Sequence, residues 1–228
     1  MNPLKISIII PVLNEATSIT TVIQQALTGK NIEIIVVDGG SQDQTVEVVN
    51  ALGVKLIQTS PGRGQQMNLG ATQATGEILL FLHADTYLPD QFDDYIYQTL
   101  AQPHTSAGAF NLNIAAHLPG IHWIEIIVNW RSRFLQFPYG DQAIFLKTTT
   151  FRQIGGFPQL PIMEDFELIR QLRKKGKIAI SSAAVITSGR RWQKLGVLKT
   201  TLLNQLIIIG YLLGISPDKL AKFYRRRH

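Results

Sequence analysis

The chain has no cysteine among its 228 residues, which excludes disulfides, thiolate metal sites and a cysteine nucleophile together. A reducing compartment is compatible with that composition. It also has no apolar run of the roughly 20 residues needed to span a bilayer. Residues 6–10 are apolar but stop at Pro11 and the polar Asn14 and Glu15, too short for a secretory signal with its cleavage site. Residues 202–215 are interrupted by Asn204, Gln205 and two glycines. Neither is expected to cross a membrane. Charge is scarce too: 17% of residues are charged against 45% hydrophobic, so the chain can bury a large core and is not of disordered composition.

Acid is nearly absent from the end of the chain. From Gly189 onward there are nine Lys or Arg and one acid, whereas residues 1–188 carry 13 bases and 15 acids, so the net charge of +6 belongs to the tail. We therefore divide the chain into an α/β domain, 1–188, and a basic, amphipathic tail, 189–228. Arg225, Arg226 and Arg227 behind an apolar helix suit an anionic bilayer surface, and a solvated basic end is the competing reading. Nucleic acid is not expected, because the body is slightly acidic and no aromatic-basic platform or reading helix is evident. The expected location is the cytoplasm, with peripheral contact at the inner face of the cell membrane.

What is present is an alternation of β-branched runs and helical spacing. Residues 6–12 and 32–37 lack period-2 alternation, as buried parallel strands do. Residues 17–27 carry Ile19, Val22, Ile23, Ala26 and Leu27 at helical spacing. Further helices are expected at 44–52 and 64–74, and strands at 54–58 and 77–82. Right-handed crossovers make this series an open, mostly parallel, twisted sheet with helices on both faces. Ligands bind beyond the carboxyl ends of such strands. The unusual polar residues fall there: Asn14 and Glu15, residues 38–43, residues 60–65, and residues 83–86.

Asp38 follows a buried strand and is itself followed by Gly39, Gly40 and Ser41. A carboxylate there can accept from a base N–H or a ribose hydroxyl, and the glycines let backbone approach a flat ring. Ser41 or Asp43 is also expected to cap the next helix. The glycine-rich segment 60–70 opens a helix and offers N–H groups, with Arg63 as a fork for phosphate oxygens. His83 and Asp85 stand two apart at a strand end, and in an extended segment both would face one divalent ion. A turn-forming Asp85 is the plainer reading. Residues 118–130, with Trp123, Ile126, Ile127 and Trp130 at helical spacing, suit either core or an acceptor groove.

These motifs resemble glycosyltransferase family 2, whose members have the nucleotide-sugar-binding fold usually called GT-A. The resemblance rests on Pro11-Val-Leu-Asn14-Glu15, on Val37-Asp38-Gly-Gly-Ser41-Gln-Asp43, on Arg63-Gly64 with Asn68 and Gly70, and on His83-Ala84-Asp85. Further on come Gly155-Gly156-Phe157 and Glu164-Asp165-Phe-Glu167. The run 139–145 and Arg190-Arg191-Trp192 further resemble a bacterial subgroup of transferases associated with radical-SAM genes.

The resemblance implies that Asp38 contacts the nucleobase, that Asp85, with His83, holds a magnesium or manganese ion bridging the diphosphate, and that Asp165 is the catalytic base of an inverting transfer. It makes Pro11, Asn14, Glu15, Asp38, Gly39, Ser41, Arg63, Gly64, Asn68 and Ala84 the nucleotide-sugar-binding residues. Asp141, Gln142, Glu164, Arg190, Arg191 and Trp192 would lie on the acceptor or diphosphate side. Two positions depart from the family pattern: Gly39 stands where a second Asp is common, and His83 replaces the first Asp of the metal motif.

The chemistry is coherent in its own right, since displacement at an anomeric carbon needs a deprotonated acceptor hydroxyl and a stabilised diphosphate leaving group. Two other readings remain. A sugar-phosphate nucleotidyltransferase would need a Gly-rich loop with Arg straight after the first strand, where this chain has Val12-Leu13-Asn14-Glu15. A catalytically silent nucleotide-sugar or membrane-binding protein is motivated by His83.

Overall fold

The computed structural model describes residues 3–116 and 118–226, so Arg227 of the basic end lies outside the described residues. Strand β1 (Ile6–Val12) sits in the middle of the sheet. Its Ile6, Ile8, Ile10 and Val12 enter one core and Ile9 the other, all essentially without exposure. A strand buried on both faces has no polar side to show, hence a run broken only by Ser7, whose buried hydroxyl donates to Glu33. β1 pairs in parallel with β2 (Ile32–Asp38) and β4 (Ile78–Phe81), and β2 with β3 (Lys55–Gln58). The connecting helices are α1 (Ile19–Ala26), α2 (Thr45–Ala51) and α3 (Arg63–Thr72). α1 and α2 supply Ile19, Val22 and Val49 to one core, and α3 supplies Met67 and Ala71 to the other.

The second half adds β5 (Thr86–Tyr87), β6 (Thr105–Ala115), β7 (Phe145–Lys147) and β8 (Lys177–Ser188), giving the order β3-β2-β1-β4-β7-β6-β8-β5. β7 runs antiparallel to both β4 and β6, β5 antiparallel to β8, and β6 parallel to β8. The chain leaves β1 toward β3 and returns to place β4 on the other side of β1, so the strand order reverses between β1 and β4. The crevice at the carboxyl ends there is where an open α/β sheet takes its ligand. Helices α4 (Phe92–Leu100) and α5 (Ile121–Phe134) lie on the α1 face, and α6 (Thr148–Gln153) and α7 (Glu164–Leu172) on the α3 face. This is the open α/β sheet with helices on both faces that the sequence pattern implies.

α5 overturns the core reading of residues 118–130. Trp123 is 68% exposed and Trp130 55%, and Ile126 and Ile127 are exposed as well. The face turned to the sheet is the other one, Ile121, Ile124 and Val128, with two polar side chains gripping β6. The Asn129 amide accepts the Leu112 N–H at 2.7 Å and donates to its carbonyl at 3.0 Å, and Glu125 accepts the Ile114 N–H at 2.6 Å. Helical spacing identified an apolar stripe but could not say which stripe faced inward.

The tail forms α8 (Arg190–Leu195), α9 (Val197–Leu212) and α10 (Pro217–Arg226). Ile207 and Leu220 pack on Met163 and Phe166 at the start of α7, and the Tyr211 hydroxyl donates to Glu167 at 2.8 Å. α9 is apolar on both sides, burying Leu203 and Ile207 while leaving Leu198, Leu202 and Leu206 exposed. Among the described residues no helix is long and apolar enough to cross a membrane.

Candidate active site

The parallel register brings the ends of β1 and β2 level, with Val12 opposite Asp38. Asp38 has no exposed surface. Its oxygens accept the N–H of Gly40 at 3.0 Å, the N–H of Ser41 at 3.1 Å and the Ser41 hydroxyl. Ser41 Oγ in turn accepts the Asn14 N–H at 2.9 Å, and Asn14 Oδ1 accepts the Gln42 N–H at 2.8 Å. Asp38 thus shapes the loop from within, and the exposed Gly40 backbone and Asn14 are what the loop turns outward. The capping role at α2 falls to Asp43, which accepts the Thr45 N–H at 3.0 Å and the Ala16 N–H at 3.2 Å.

Beneath this loop lies Gln66, 5% exposed, whose amide donates to the carbonyls of Val12 at 3.0 Å and Val37 at 2.7 Å. A Cβ on Gly39 would come within 3.1 Å of that amide. The missing second Asp therefore coincides with a buried amide that already fills its place. Asn68 is a correction: it bonds Phe157 rather than facing the donor edge, donating to its carbonyl at 2.8 Å and accepting its N–H at 2.9 Å. Gly156 makes that staple possible with φ +77°, and a Cβ there would fall 2.6 Å from Asn68 Oδ1.

The metal corner also departs from expectation. β4 ends at Phe81, and residues 83–86 form a turn closed by the Thr86 N–H on the His83 carbonyl at 3.1 Å. The premise of an extended segment fails, and His83 and Asp85 make different contacts. The His83 imidazole lies against Gly140, and burial, reinforced by the Arg63 charge, lowers its pKa to about 3, so it is neutral. Asp85 instead meets Arg190, whose Nη2 lies 3.3 Å from Asp85 Oδ2 and 2.9 Å from Glu15 Oε2. Burial raises the Asp85 pKa against the opposing pull of Arg190. Among the described residues no group of three or more His, Asp or Glu converges to cage a metal. Magnesium-type sites need less, since one or two carboxylates and the substrate's phosphates suffice. Glu15 and Asp85, which share one cationic nitrogen, fit that requirement.

On the opposite side, the first turn of α7 presents Glu164 and Asp165. Asp165 Oδ2 accepts the Gly140 N–H at 2.8 Å and Oδ1 the Phe166 N–H at 2.7 Å. Gly140 is wedged between two site residues: a Cβ would lie 2.9 Å from His83 Nε2 and 3.3 Å from Asp165 Oδ2. Beside it, burial pushes the Asp141 carboxyl up to about 6, with Arg131 opposing and the Asp165 charge adding. Asp141 Oδ1 has no hydrogen-bond partner. Glu164 is 5% exposed, and its pKa is raised by burial and by Asp165, while Arg63 stands 3.7 Å away as its counter-ion.

Three further residues are corrected. Gln142 is fully buried and structural: its amide carbonyl accepts the Ser132 hydroxyl at 2.7 Å and its nitrogen donates to the Phe110 carbonyl at 2.9 Å. Arg191 turns into the tail, donating to Asn204 at 2.9 Å with its guanidinium 4.4 Å from the Tyr224 ring centre. Trp192 packs against the β1 core. Of that triplet only Arg190 reaches the site. Gln66, Gly140 and Arg131 were missed. The first two lie inside quoted motifs, but nothing local marks a glycine or a glutamine as a spacer, and Arg131 reads as one more solvent-facing base of a helix.

The open sheet thus carries one set of acids at its reversal point, Glu15 and Asp85, and a second, Glu164 and Asp165, at a helix start. The model described as Glycosyl transferase family 2 matches residues 7–157, most of the chain, and the chain belongs to that family. It is 34% identical over 160 residues to a PGL/p-HBAD biosynthesis glycosyltransferase of Mycobacterium bovis, covering 66% of this chain and 51% of that one. An uncharacterized glycosyltransferase of Rickettsia typhi is 39% identical over 97 residues, 40% of this chain and 30% of its own. The chain thus spans about half, or less, of the length of these relatives.

Among solved structures, S. aureus TarS in complex with UDP matches with a TM-score of 0.67 at 20% identity, over 81% of this chain and 60% of that one. The mannosyltransferase PcManGT of Pyrobaculum calidifontis, with GDP-Man and Mn2+, matches with a TM-score of 0.64 at 19% identity, over 81% and 58%. They share the fold. The narrower likeness to radical-SAM-associated transferases finds no support in these matches, which are to the family as a whole.

Proposed function

We propose that this chain is an inverting glycosyltransferase that moves a sugar from a nucleotide-diphosphate donor to an acceptor hydroxyl. The observation that carries the reading is the facing of two acid sets across the sheet's reversal point, Glu15 and Asp85 bound to Arg190 on one side and Asp165 bound to Gly140 on the other. The donor lies along the β1 and β2 loops, with the Gly40 backbone and Asn14 against its base. Arg63 and Arg190 are the cations for its diphosphate. Asp85 and Glu15 would hold the magnesium or manganese ion, which supplies Lewis-acid stabilisation of the leaving diphosphate. The structural neighbours bind GDP-Man with Mn2+, and UDP, which supports a nucleotide sugar without choosing its base.

Asp165 takes the proton of the acceptor hydroxyl as that oxygen attacks the anomeric carbon and the carbon–oxygen bond to the diphosphate breaks. Each Asp165 oxygen accepts one backbone N–H and keeps lone-pair capacity for the acceptor. The tail's basic residues support a peripheral place on anionic lipid and an acceptor linked to the cell envelope.

The test is product analysis with UDP- and GDP-sugars and manganese. Nucleoside diphosphate and a glycoside of inverted configuration are the expected products. Pyrophosphate would mark a nucleotidyltransferase, and tight nucleotide binding without turnover on a panel of acceptors would mark a binding protein. Either result sinks the proposal.

A further inference from the structure

Beside the catalytic turn, between the C-terminal end of α5 and the middle of α9, runs a groove of about 460 Å³. Its apolar wall includes Phe134, Leu135, Phe137 and Ile208. Tyr139 and Phe166 also line it, and each is the immediate chain neighbour of a residue in the Gly140–Asp165 hydrogen bond. The groove therefore borders the two segments that carry this hydrogen bond.

Its polar character is cationic. The Arg131 guanidinium lies 3.6 Å from the Tyr139 ring centre, and that of Arg173 lies 5.2 Å from the Phe137 ring centre. Among the described residues neither has a carboxylate within ion-pair distance. A groove for a free sugar needs a set of neutral donors and acceptors. Here the neutral amides are Gln136 and Gln205, and Gln136 already accepts the Ile178 N–H at 3.1 Å.

The apolar wall also runs on into open surface. The rings of Trp130 and Phe134 lie 5.6 Å apart on α5, and Leu202, Leu206 and Ile209 stand exposed on α9. Both helices that border the groove thus carry exposed apolar side chains. Across α5 and α9 the one acid is Glu125, whose carboxylate is bound to the Ile114 N–H, against Arg131, Arg133 and Lys199. An apolar face with a basic surround that is too short to span is the pattern of in-plane attachment to anionic lipid.

We propose that the α5–α9 groove is the acceptor site and that the acceptor is an amphiphile with an anionic headgroup, taken from the bilayer surface on which α5 and α9 rest. Its hydrocarbon chain lies along Phe134, Leu135 and Ile208, and its anionic group lies between Arg131 and Arg173. This places its hydroxyl toward Asp165. The assignment rests on the glycosyl-transfer reading for its catalytic meaning, but the binding stands by itself.

The experiment is calorimetry on the full chain with dodecyl phosphate, dodecyl maltoside and inorganic phosphate, each below any micelle threshold. Flotation with phosphatidylglycerol or phosphatidylcholine vesicles accompanies it. Dodecyl phosphate is expected to bind about tenfold more tightly than the neutral amphiphile, inorganic phosphate to show no saturable binding, and the protein to float with the anionic vesicles alone. Phe134→Asp and Arg173→Gln, both at exposed positions, should each weaken dodecyl phosphate binding about tenfold with unchanged thermal unfolding.

Equal affinity for the two amphiphiles, binding of phosphate alone as tightly as of its dodecyl ester, or indifference to both substitutions would overturn the assignment. So would a dimer, seen by light scattering, that covers α5 and α9 and excludes the amphiphile. GDP and UDP titrated on the same samples keep the two readings apart. Nucleotide binding without amphiphile binding overturns the groove alone, and the reverse supports the groove while removing the transferase.

Discussion

The two sides of the site are built on opposite principles. On the donor edge, the polar side chains of Asp38, Ser41, Asn14 and Gln66 are hydrogen-bonded to nearby backbone or to one another. On the facing side, Asp141 keeps a buried oxygen that has no partner, and Glu164 is buried against the charge of Asp165. The first arrangement holds loops rigid before a ligand arrives, and the second holds charge at a cost to stability. Where a fold keeps buried acids that destabilise it, the chemistry is the natural reason.

The largest expected effect tests whether the facing side does the proton transfer. Asp165→Asn should lower turnover about a hundredfold to ten-thousandfold and leave donor affinity within about twofold, the pattern of an interaction made in the transition state. Steady-state rates with calorimetric donor titration check it, and turnover within a few-fold of the parent would erase the contrast between the two sides.

Next comes the donor edge. Asp38→Ala removes a buried carboxylate that accepts from Gly40 and Ser41, so denaturant unfolding should show a loss of about 2 kcal/mol. Donor affinity should fall with it, because the loop that meets the base is no longer held. Unchanged stability would mean that the loop holds itself without Asp38.

The reverse sign is expected on the facing side. The Asp141 carboxyl is raised from its ordinary 3.8 to about 6, so the folded state keeps a proton that the unfolded state has released. Stability therefore falls as pH rises between those values and is level above them. Asp141→Asn lifts that penalty and should stabilise the protein by about 1–2 kcal/mol near pH 8, with the gain vanishing near pH 4. Thermal melts across pH decide it, and a variant less stable than the parent at the higher pH would contradict the burial argument.

The smallest effect concerns the contact that links the tail to the donor edge. The Arg190 side chain is 54% exposed, so Arg190→Ala should change stability by no more than about 0.5 kcal/mol. Freed from their shared cation, Glu15 and Asp85 should bind manganese about threefold more tightly in the absence of nucleotide, while nucleoside diphosphate binds less well. Manganese titration by electron paramagnetic resonance reads the first. No change in either affinity would remove Arg190 from the diphosphate site.

Much of this was legible in the residues. The apolar runs located β1, β2 and β4 within one or two residues, because a strand buried on both faces tolerates little else, and β3 at the sheet edge followed from its place in the alternation. The acids at the carboxyl edge followed from that order. Errors arose where one-dimensional spacing stood in for direction. His83 and Asp85 were read as an extended pair, and a turn separates them. The stripe of Trp123 and Trp130 was read as core or groove lining, and the core reading fails because α5 grips β6 through Asn129 and Glu125 on its other face. Asn68 was read as a donor contact and is a staple to Phe157, 89 residues away in the chain.

By itself the sequence determined the alternation of strands and helices, the edge at which ligands gather, and the family, since each is written in short-range patterns of burial and turn chemistry. Only the tertiary structure decided which of the motif residues meet. Gly140 comes to lie between His83 and Asp165, Arg190 crosses to Glu15 and Asp85, and α9 lies across the groove from α5. These contacts join residues 25 to 175 positions apart. No local periodicity encodes such pairings, because they follow from where the sheet order sets β6, β7 and β8 and where the tail packs on the start of α7.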